Sequence, residues 1–162
     1  MTCILILMRH AKAVDRLEAD DDFERGLTMR GRDDAAAVAA QMQRDGLAAE
    51  LALVSPSWRT RQTFTAVEDA LGTPRIEDPM ALYHASTAML ERATCRGFAG
   101  AGSILVVGHN PGIGGLAHKL ARQAGRDGDP ALTHGYPTAT ATAFQLAGPD
   151  LQTPRLIGVY RP

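Results

Sequence analysis

The amino-acid sequence predicts an α/β fold, a three-layer α/β/α sandwich built on a mostly parallel sheet with one antiparallel edge strand. Two observations lead to this prediction. Short apolar runs alternate along the chain with longer stretches whose apolar residues recur at helical spacing. Such alternation is typical of β–α–β units, whose strands lie parallel in one sheet between layers of helices. The last two apolar runs have no helical stretch between them, which indicates an antiparallel hairpin at one edge.

The first half of the chain shows two strand patterns and two helix patterns. Cys3–Met8 is continuously apolar, as expected of a strand that is buried on both faces. In Thr28–Arg44 the apolar residues recur at positions i, i+3, i+4 and i+7, which predicts an amphipathic helix. Leu51–Val54 is a second apolar run. Ser57 is a favourable N-cap for the next helix, which we expect to continue to Leu71, where a Gly-Thr-Pro sequence ends it.

The second half continues the alternation and closes with the hairpin. The pattern predicts, in order, a weak edge strand at Ile76, a helix from Ser86 to about Cys95, a buried strand at Ser103–Val107, a helix over Ile113–Ala121, and strands at Ala141–Leu146 and Leu156–Tyr160. Gly148-Pro149-Asp150 marks the turn between the last two strands. Two stretches fit no element, Val14–Gly26 and Ala124–Thr138, and long loops in a compact domain are often functional.

Composition and charge exclude several classes of protein. Since a typical domain has about 150 residues, the 162 residues are expected to form one domain, 1–162. Lys and Arg number 17 and Asp and Glu 18, so the net charge is −1 and lacks the basic excess of a nucleic-acid binder. The apolar run Cys3–Met8 is too short to span a bilayer, so no membrane partner is expected. Two cysteines, Cys3 and Cys95, are too few for a disulfide framework, which favours a cytoplasmic location.

Arginine and histidine side chains follow three of the predicted strands at their carboxyl ends. Arg9 and His10 come directly after the first strand. Arg59 lies in the first turn of the helix after the second strand, and His109 follows the strand at Ser103–Val107. Because ligands of open α/β sheets bind outside the carboxyl ends of the strands, we expect these four side chains to surround one crevice.

These four side chains suit a phosphate dianion. Guanidinium groups such as those of Arg9 and Arg59 can each bind phosphate oxygens through two parallel hydrogen bonds. Two helices are predicted to begin at the same edge, where their free N–H groups also favour an anion. The neighbouring cations disfavour imidazolium, so we expect His10 and His109 to be neutral, and a neutral imidazole is a competent nucleophile. Taken singly, each residue could equally be a capping or solvated residue, so their convergence is what supports a site.

Other polar residues are weaker candidates for the site. Lys12 is either a phosphate contact or a solvated lysine, and Asn110 is a further candidate phosphate contact. The three consecutive aspartates at 20–22 look like a magnesium site, but adjacent carboxylates on a loop are usually solvated. The histidines lack the cysteine partners or the spacing of a zinc site, so no metal is expected. We assign His84 and His118 to the surface or to helices.

Six short segments together resemble a known family. They are Leu7–Ala13, Arg25–Gly31, Val54–Thr63, Leu82–Ser86, Val106–Gly112 and Tyr136–Thr138. In this order they resemble the histidine phosphatase superfamily, which has the phosphoglycerate-mutase-like fold, and in particular its small phosphohistidine phosphatases of the SixA type. The resemblance extends from residue 3 to about residue 146. Many members have glycine after the Arg-His pair where this chain has Ala11, and alanine is common in the small subgroup.

The resemblance implies a metal-independent hydrolysis in two steps that requires no cofactor. His10 matches the nucleophile, which is transiently phosphorylated. The other catalytic residues of the phosphate pocket match Arg9, Arg59 and His109, which would bind phosphate and stabilise the charge of the transition state. Water then releases inorganic phosphate from His10. The implied substrate is phosphohistidine in a protein, such as a phosphorelay histidine domain.

The sequence leaves the general acid open. Larger members of the superfamily place a carboxylic acid after the second helix, where the nearest candidates here are Glu77 and Asp78. Asp15, Asp21 and Asp22, in the loop after the nucleophile, are alternatives, and each of these carboxylates is more often a solvated residue. An imidazole leaves phosphorus more easily than an alkoxide, so a missing acid favours phosphohistidine. The chain has no insertion large enough for a cap, which predicts an open crevice. The alternatives are a phosphatase of a small phosphorylated metabolite, such as a sugar phosphate or nucleotide, and a non-catalytic phosphate-binding module.

Overall fold

A six-stranded sheet lies at the centre of the computed structural model, which describes residues 2–162. Its strands are β1 (Cys3–Arg9), β2 (Leu51–Val54), β3 (Arg75–Glu77), β4 (Ser103–Gly108), β5 (Ala141–Leu146) and β6 (Arg155–Tyr160). They lie in the order β3-β2-β4-β1-β5-β6. Strands β1 to β4 are mutually parallel, whereas β5 runs antiparallel to β1 and β6 runs antiparallel to β5. The predicted α/β class with a mostly parallel sheet is confirmed.

The position of the antiparallel strand differs from the prediction. The sequence predicts one antiparallel strand at the edge, but the antiparallel strand β5 lies between β1 and β6. The cause is the short connection at 147–154, which contains the predicted turn. It is too short for a crossover to another part of the sheet, so β6 returns directly beside β5. The outermost strand on this side therefore runs parallel to β1.

Helices cover both faces of the sheet, and they are α1 (Met29–Arg44), α2 (Trp58–Val67), α3 (Thr87–Gly97) and α4 (Gly112–Gln123). Helices α1 and α2 pack on one face and α3 and α4 on the other. Successive residues of β1 fill the two cores in turn. Leu5 and Leu7 belong to the core on the α3 and α4 side, while Ile6 and Met8 belong to the core on the α1 and α2 side. No helix within residues 2–162 has both the length and the apolar character needed to cross a membrane.

Polar side chains at the helix ends agree with the sequence at α1 and differ at α2. The Thr28 hydroxyl accepts the Gly31 backbone N–H at 2.9 Å and so caps α1. Ser57 occupies the N-cap position of α2, but its hydroxyl bonds to the Thr60 hydroxyl at 2.6 Å instead of capping the backbone. Helix α2 ends at Val67, earlier than predicted, because the chain tightens into a 3-10 turn at 69–71 before Gly72 adopts a left-handed conformation with φ 86°.

Replacement of Gly31 by alanine tests how α1 packs on the segment after β1. A Cβ at Gly31 would overlap the backbone oxygen of Lys12, which itself accepts the Thr28 N–H at 3.0 Å. We expect Gly31→Ala to lower the free energy of unfolding in urea by roughly 1–3 kcal/mol, although alanine favours helices. Gly100→Ala is the matched control, because no atom lies within 4 Å of its added Cβ. Equal effects of the two substitutions would contradict this packing.

Candidate active site

The carboxyl ends of three parallel strands bring four predicted side chains together. Arg9 ends β1 and lies opposite Gly108 of β4, so His10 and His109 follow adjacent strands. Their ring centroids are 5.4 Å apart. Arg59 lies in the first turn of α2, directly after β2. His10, Arg59 and His109 are all buried, with 7%, 1% and 4% of their surfaces exposed. The structure therefore builds one crevice from the residues that the sequence places at three strand ends.

The two arginines are held by protein acceptors yet keep unused donors. Arg59 Nη1 donates to the Asp22 backbone oxygen at 2.7 Å, and its Nη2 donates to Asp22 Oδ2 at 3.1 Å and to His109 Nδ1 at 3.2 Å. Arg9 Nη1 donates to the Tyr136 backbone oxygen at 3.1 Å. The Nε atoms of both arginines are buried and have no hydrogen-bond partner within residues 2–162. Burial and the Arg59 charge lower the pKa of Arg9, so a bound anion would stabilise this pair.

The hydrogen bond made by the His10 ring determines which of its nitrogens is free. Nδ1 lies 2.8 Å from the Ala11 backbone oxygen. Since a carbonyl oxygen only accepts, Nδ1 carries the proton and Nε2 keeps its lone pair. Desolvation, with the charges of Arg59 and Arg9, lowers the pKa of His10 to about 4 and outweighs the opposing hydrogen bond to Ala11. At neutral pH His10 is thus a neutral imidazole whose Nε2 can act as a nucleophile.

His109 is held as the opposite tautomer. Arg59 Nη2 can only donate, so His109 Nδ1 accepts and is unprotonated. Its Nε2 therefore carries the proton and donates to Ser55 Oγ at 2.6 Å. Desolvation, followed by the Arg59 charge, lowers the pKa of His109 to about 3. Ser55 is a site residue that the sequence prediction lacks.

Asp22, one of the five candidate acids, lies against the arginine. Its Oδ2 accepts hydrogen bonds from Arg59 Nη2 and His84 Nε2, each at 3.1 Å, and from the Tyr83 hydroxyl. Its Oδ1 accepts from Arg25 Nε at 3.1 Å. Desolvation raises the pKa of Asp22, but the hydrogen bonds from Tyr83 and His84 and the Arg59 charge outweigh it, so the pKa lies well below its ordinary value. Asp22 is therefore ionised. Its carboxylate accepts hydrogen bonds and carries no proton that it could donate.

The other candidate carboxylates are engaged elsewhere or exposed. Glu77 pairs with Arg75 at 2.7 Å and Asp78 pairs with Arg61 at 2.6 Å. Asp21 Oδ1 accepts the Glu24 backbone N–H at 3.0 Å. The remaining candidate, Asp15, is exposed. The hydrogen bonds within residues 2–162 thus connect no carboxylate other than Asp22 to the four clustered side chains.

Lys12 and Asn110, the two weaker candidates, have different surroundings. The Lys12 side chain is exposed and makes no hydrogen bond within residues 2–162. Asn110 Nδ2 donates to the Tyr136 backbone oxygen at 2.8 Å, and its Oδ1 accepts the Gly114 N–H at 3.1 Å. Asn110 therefore braces the start of α4 against the loop that holds Arg9, and phosphate contact by either residue stays a prediction. No group of three or more His, Cys, Asp or Glu within residues 2–162 is arranged to hold a metal ion.

Tyr83 and His84 are site residues that the sequence analysis assigns elsewhere or leaves without a role. They follow β3, the fourth parallel strand, so the same strand-end rule applies to them. All three residues of β3 are exposed, and its apolar signal is correspondingly weak. The surface assignment of His84 is incomplete, because its ring lies 4.7 Å from that of His109 although half of its side chain is exposed.

Comparisons with known proteins give one family and similar solved structures. A family model described as histidine phosphatase superfamily (branch 1) matches residues 5–81. An uncharacterized protein from Picosynechococcus sp. is 34% identical over 122 residues, which are 72% of this chain and 72% of that protein. A proposed phosphohistidine phosphatase SixA from Agrobacterium tumefaciens is 26% identical, with a TM-score of 0.86 over 99% of this chain and 98% of that one. Another from Nakamurella multipartitia is 28% identical, with a TM-score of 0.82 over 100% and 97% of the two chains.

Titration of the two buried histidines tests the electrostatics of the site. Because their pKa values are lowered to about 4 and about 3, we expect His10 and His109 to stay neutral down to about pH 5. Nitrogen-15 NMR should show His10 protonated on Nδ1 and His109 protonated on Nε2. The unfolded chain takes up protons first as the pH falls below 6.5, so the free energy of unfolding should decline from there to about pH 4. Protonation of either ring near pH 6.5 would contradict this electrostatic account.

Proposed function

Since the chain belongs to the histidine phosphatase superfamily and is of the SixA type, we propose that it hydrolyses phosphohistidine in a protein without a metal ion. The chain is a phosphatase, so its substrate is phosphorylated and inorganic phosphate is its product. The proposal specifies the nucleophile, His10, and the substrate class. The observation that carries it is the free Nε2 of a neutral His10 beside the buried Arg59.

In the first step His10 Nε2 attacks phosphorus and the bond from phosphorus to the leaving group breaks. The backbone oxygen of Ala11 holds the Nδ1 proton throughout, which keeps the ring oriented. Charge develops on the equatorial phosphate oxygens, where Arg9 and Arg59 can donate through their buried Nε atoms. His109 orients Arg59 for this role, because its Nδ1 accepts a hydrogen bond from Arg59 Nη2.

In the second step water attacks phosphorus of phospho-His10. The bond from phosphorus to Nε2 breaks, its electron pair returns to the imidazole, and inorganic phosphate leaves. Burial and the flanking guanidinium charges make imidazolium unfavourable at His10. The His10 ring that remains after phosphate leaves is therefore neutral and can act as the nucleophile again. The arginines supply the charge stabilisation that a metal ion provides in other phosphatases, which supports a metal-independent reaction.

The ionised state of Asp22 supports phosphohistidine as the substrate. Departure of an alkoxide normally requires a proton, and Asp22, the carboxylate at the site, is ionised. Imidazole is a weaker base than an alkoxide, so it leaves with less assistance. The side chain of His84, beside His109, is 52% exposed, so the site can be approached from solvent at this residue. Such access suits a phosphorylated protein surface, such as a phosphorelay histidine domain.

The test measures phosphate release, with a chelator present, from a phosphohistidine protein and from a panel of sugar phosphates and nucleotides. We expect the phosphohistidine protein to be the preferred substrate. His10→Ala should reduce turnover by about 1,000-fold or more, since loss of a nucleophile removes the covalent route. His134→Ala, an exposed histidine, is the matched control and should retain wild-type turnover.

Three results would contradict parts of this proposal. Turnover by His10→Ala at the wild-type rate would exclude the covalent route. Loss of activity in the chelator would exclude the metal-independent reaction. A preference for one small phosphoester would assign the enzyme to a phosphorylated metabolite instead of a protein.

A further inference from the structure

His84 occupies an unusual position for a solvent-exposed histidine. Its backbone lies in the left-handed region with φ 54°, which residues other than glycine rarely adopt. This conformation places its ring 4.7 Å from the His109 ring and 4.2 Å from the Tyr83 ring. Its Nε2 lies 3.1 Å from Asp22 Oδ2. The residue is thus oriented toward the site by a carboxylate.

The contacts of His84 leave one ring nitrogen available for proton transfer. Asp22 is ionised and only accepts, so His84 Nε2 carries a proton and donates it to that hydrogen bond. Its Nδ1 has no hydrogen-bond partner within residues 2–162. In the imidazolium form Nδ1 also carries a proton, and no acceptor within residues 2–162 engages it.

The three histidines near the site differ in their surroundings. His10 and His109 are buried beside Arg59, which opposes a positive charge on either ring. The groups that face His84 are the Asp22 carboxylate, the Tyr83 hydroxyl and the neutral His109 ring, while the Arg59 charge is compensated by Asp22. His84 differs from His10 and His109 in contacting a carboxylate and in reaching solvent, so a proton that its ring gives up can be replaced from water.

We propose that His84 is the proton donor to the leaving group and the proton acceptor for the attacking water. This inference rests on the proposed covalent reaction at His10. In the first step the bond from phosphorus to the leaving nitrogen breaks as His10 Nε2 bonds to phosphorus. The leaving nitrogen keeps the electron pair and takes the proton from His84 Nδ1. In the second step the neutral His84 Nδ1 takes a proton from water as its oxygen bonds to phosphorus, which restores the imidazolium.

The chemistry of this donor matches the proposed substrate. Without a proton donor, a phosphohistidine ring whose other nitrogen is unprotonated would leave as the strongly basic imidazolide, whereas the proton from His84 lets it leave as neutral imidazole. His84 also supplies the acid that no carboxylate provides, because Asp22 acts on the leaving group only through His84. Asp22 is accordingly a positioning residue in this step.

Two aryl phosphates of similar size separate proton donation from a structural role. The leaving group of para-nitrophenyl phosphate departs without a proton, whereas that of phenyl phosphate requires one. We expect His84→Gln, which keeps a donor near Asp22, to lower kcat/KM about 100-fold for phenyl phosphate and by a smaller factor, about 10-fold, for a phosphohistidine protein, whose leaving group needs less assistance. For para-nitrophenyl phosphate the loss should be about 3-fold or less. His134→Gln is the matched control on an exposed histidine.

The pH profile and a second variant complete the test. As the acid, His84 must be protonated, so wild-type kcat/KM for the phosphohistidine protein should fall as the pH rises through its ionisation, and His84→Gln should lack that decline. His84→Asn should give the same result as His84→Gln. Because asparagine tolerates a positive φ, this variant keeps the backbone conformation and loses only the acid, so misfolding cannot account for its effect. An equal loss on both aryl phosphates, or no loss on either, would overturn the inference.

The same assays separate failure of the proposed function from failure of this inference. A wild-type enzyme that hydrolyses aryl phosphates but not the phosphohistidine protein would contradict the proposed substrate, while the aryl pair would still decide the role of His84. If aryl phosphates are not turned over, the pH profile on the phosphohistidine protein decides it. A wild-type enzyme that hydrolyses none of these substrates would contradict both.

Discussion

The charge of Arg59 is the constraint on which the rest of the site depends. Its side chain is almost completely buried, and a buried guanidinium is costly unless partners replace the water that it loses. Asp22 supplies two of these partners and His109 a third. To accept from Arg59, His109 must be neutral and carry its proton on Nε2, which Ser55 then accepts. The tautomer of His109 thus follows from one buried cation, and the same charge adds to the Tyr83 and His84 hydrogen bonds that keep Asp22 ionised.

The charge of Arg59 can be paired either with the carboxylate of Asp22 or with a bound phosphate. Arg9 and Arg59 each keep a buried Nε–H without a protein partner, so phosphate can bind donors that the fold leaves unused. Phosphate must also compete with Asp22 for Arg59 Nη2. Asp22 therefore orders the arginine while lowering its affinity for phosphate, and it orients His84 through the same oxygen. One carboxylate thus couples the anion-binding part of the site to its proposed proton donor.

Most of the strands were predictable because they are apolar runs, and the last residue of such a run marks the carboxyl end of the strand. That reasoning brought Arg9, His10, Arg59 and His109 to one edge of the sheet. The same reasoning fails at β3, because its exposed residues carry almost no apolar signal. The sequence therefore does not indicate that residues 83–84 lie at the site. Asp22 lies in a loop without periodicity, where the sequence shows several carboxylates but not which one faces an arginine. Such contacts depend on loop conformation, which local pattern does not determine.

The most direct test of this account is a single-turnover, rapid-quench experiment with excess enzyme and a phosphohistidine protein labelled in its phosphoryl group. The account predicts that label appears on His10 Nε2 before free phosphate and then decays at the rate at which phosphate is released. Mass spectrometry under alkaline conditions, where phosphohistidine survives, would locate the label. Stoichiometric release of phosphate with no label on His10 at any time would contradict the covalent mechanism.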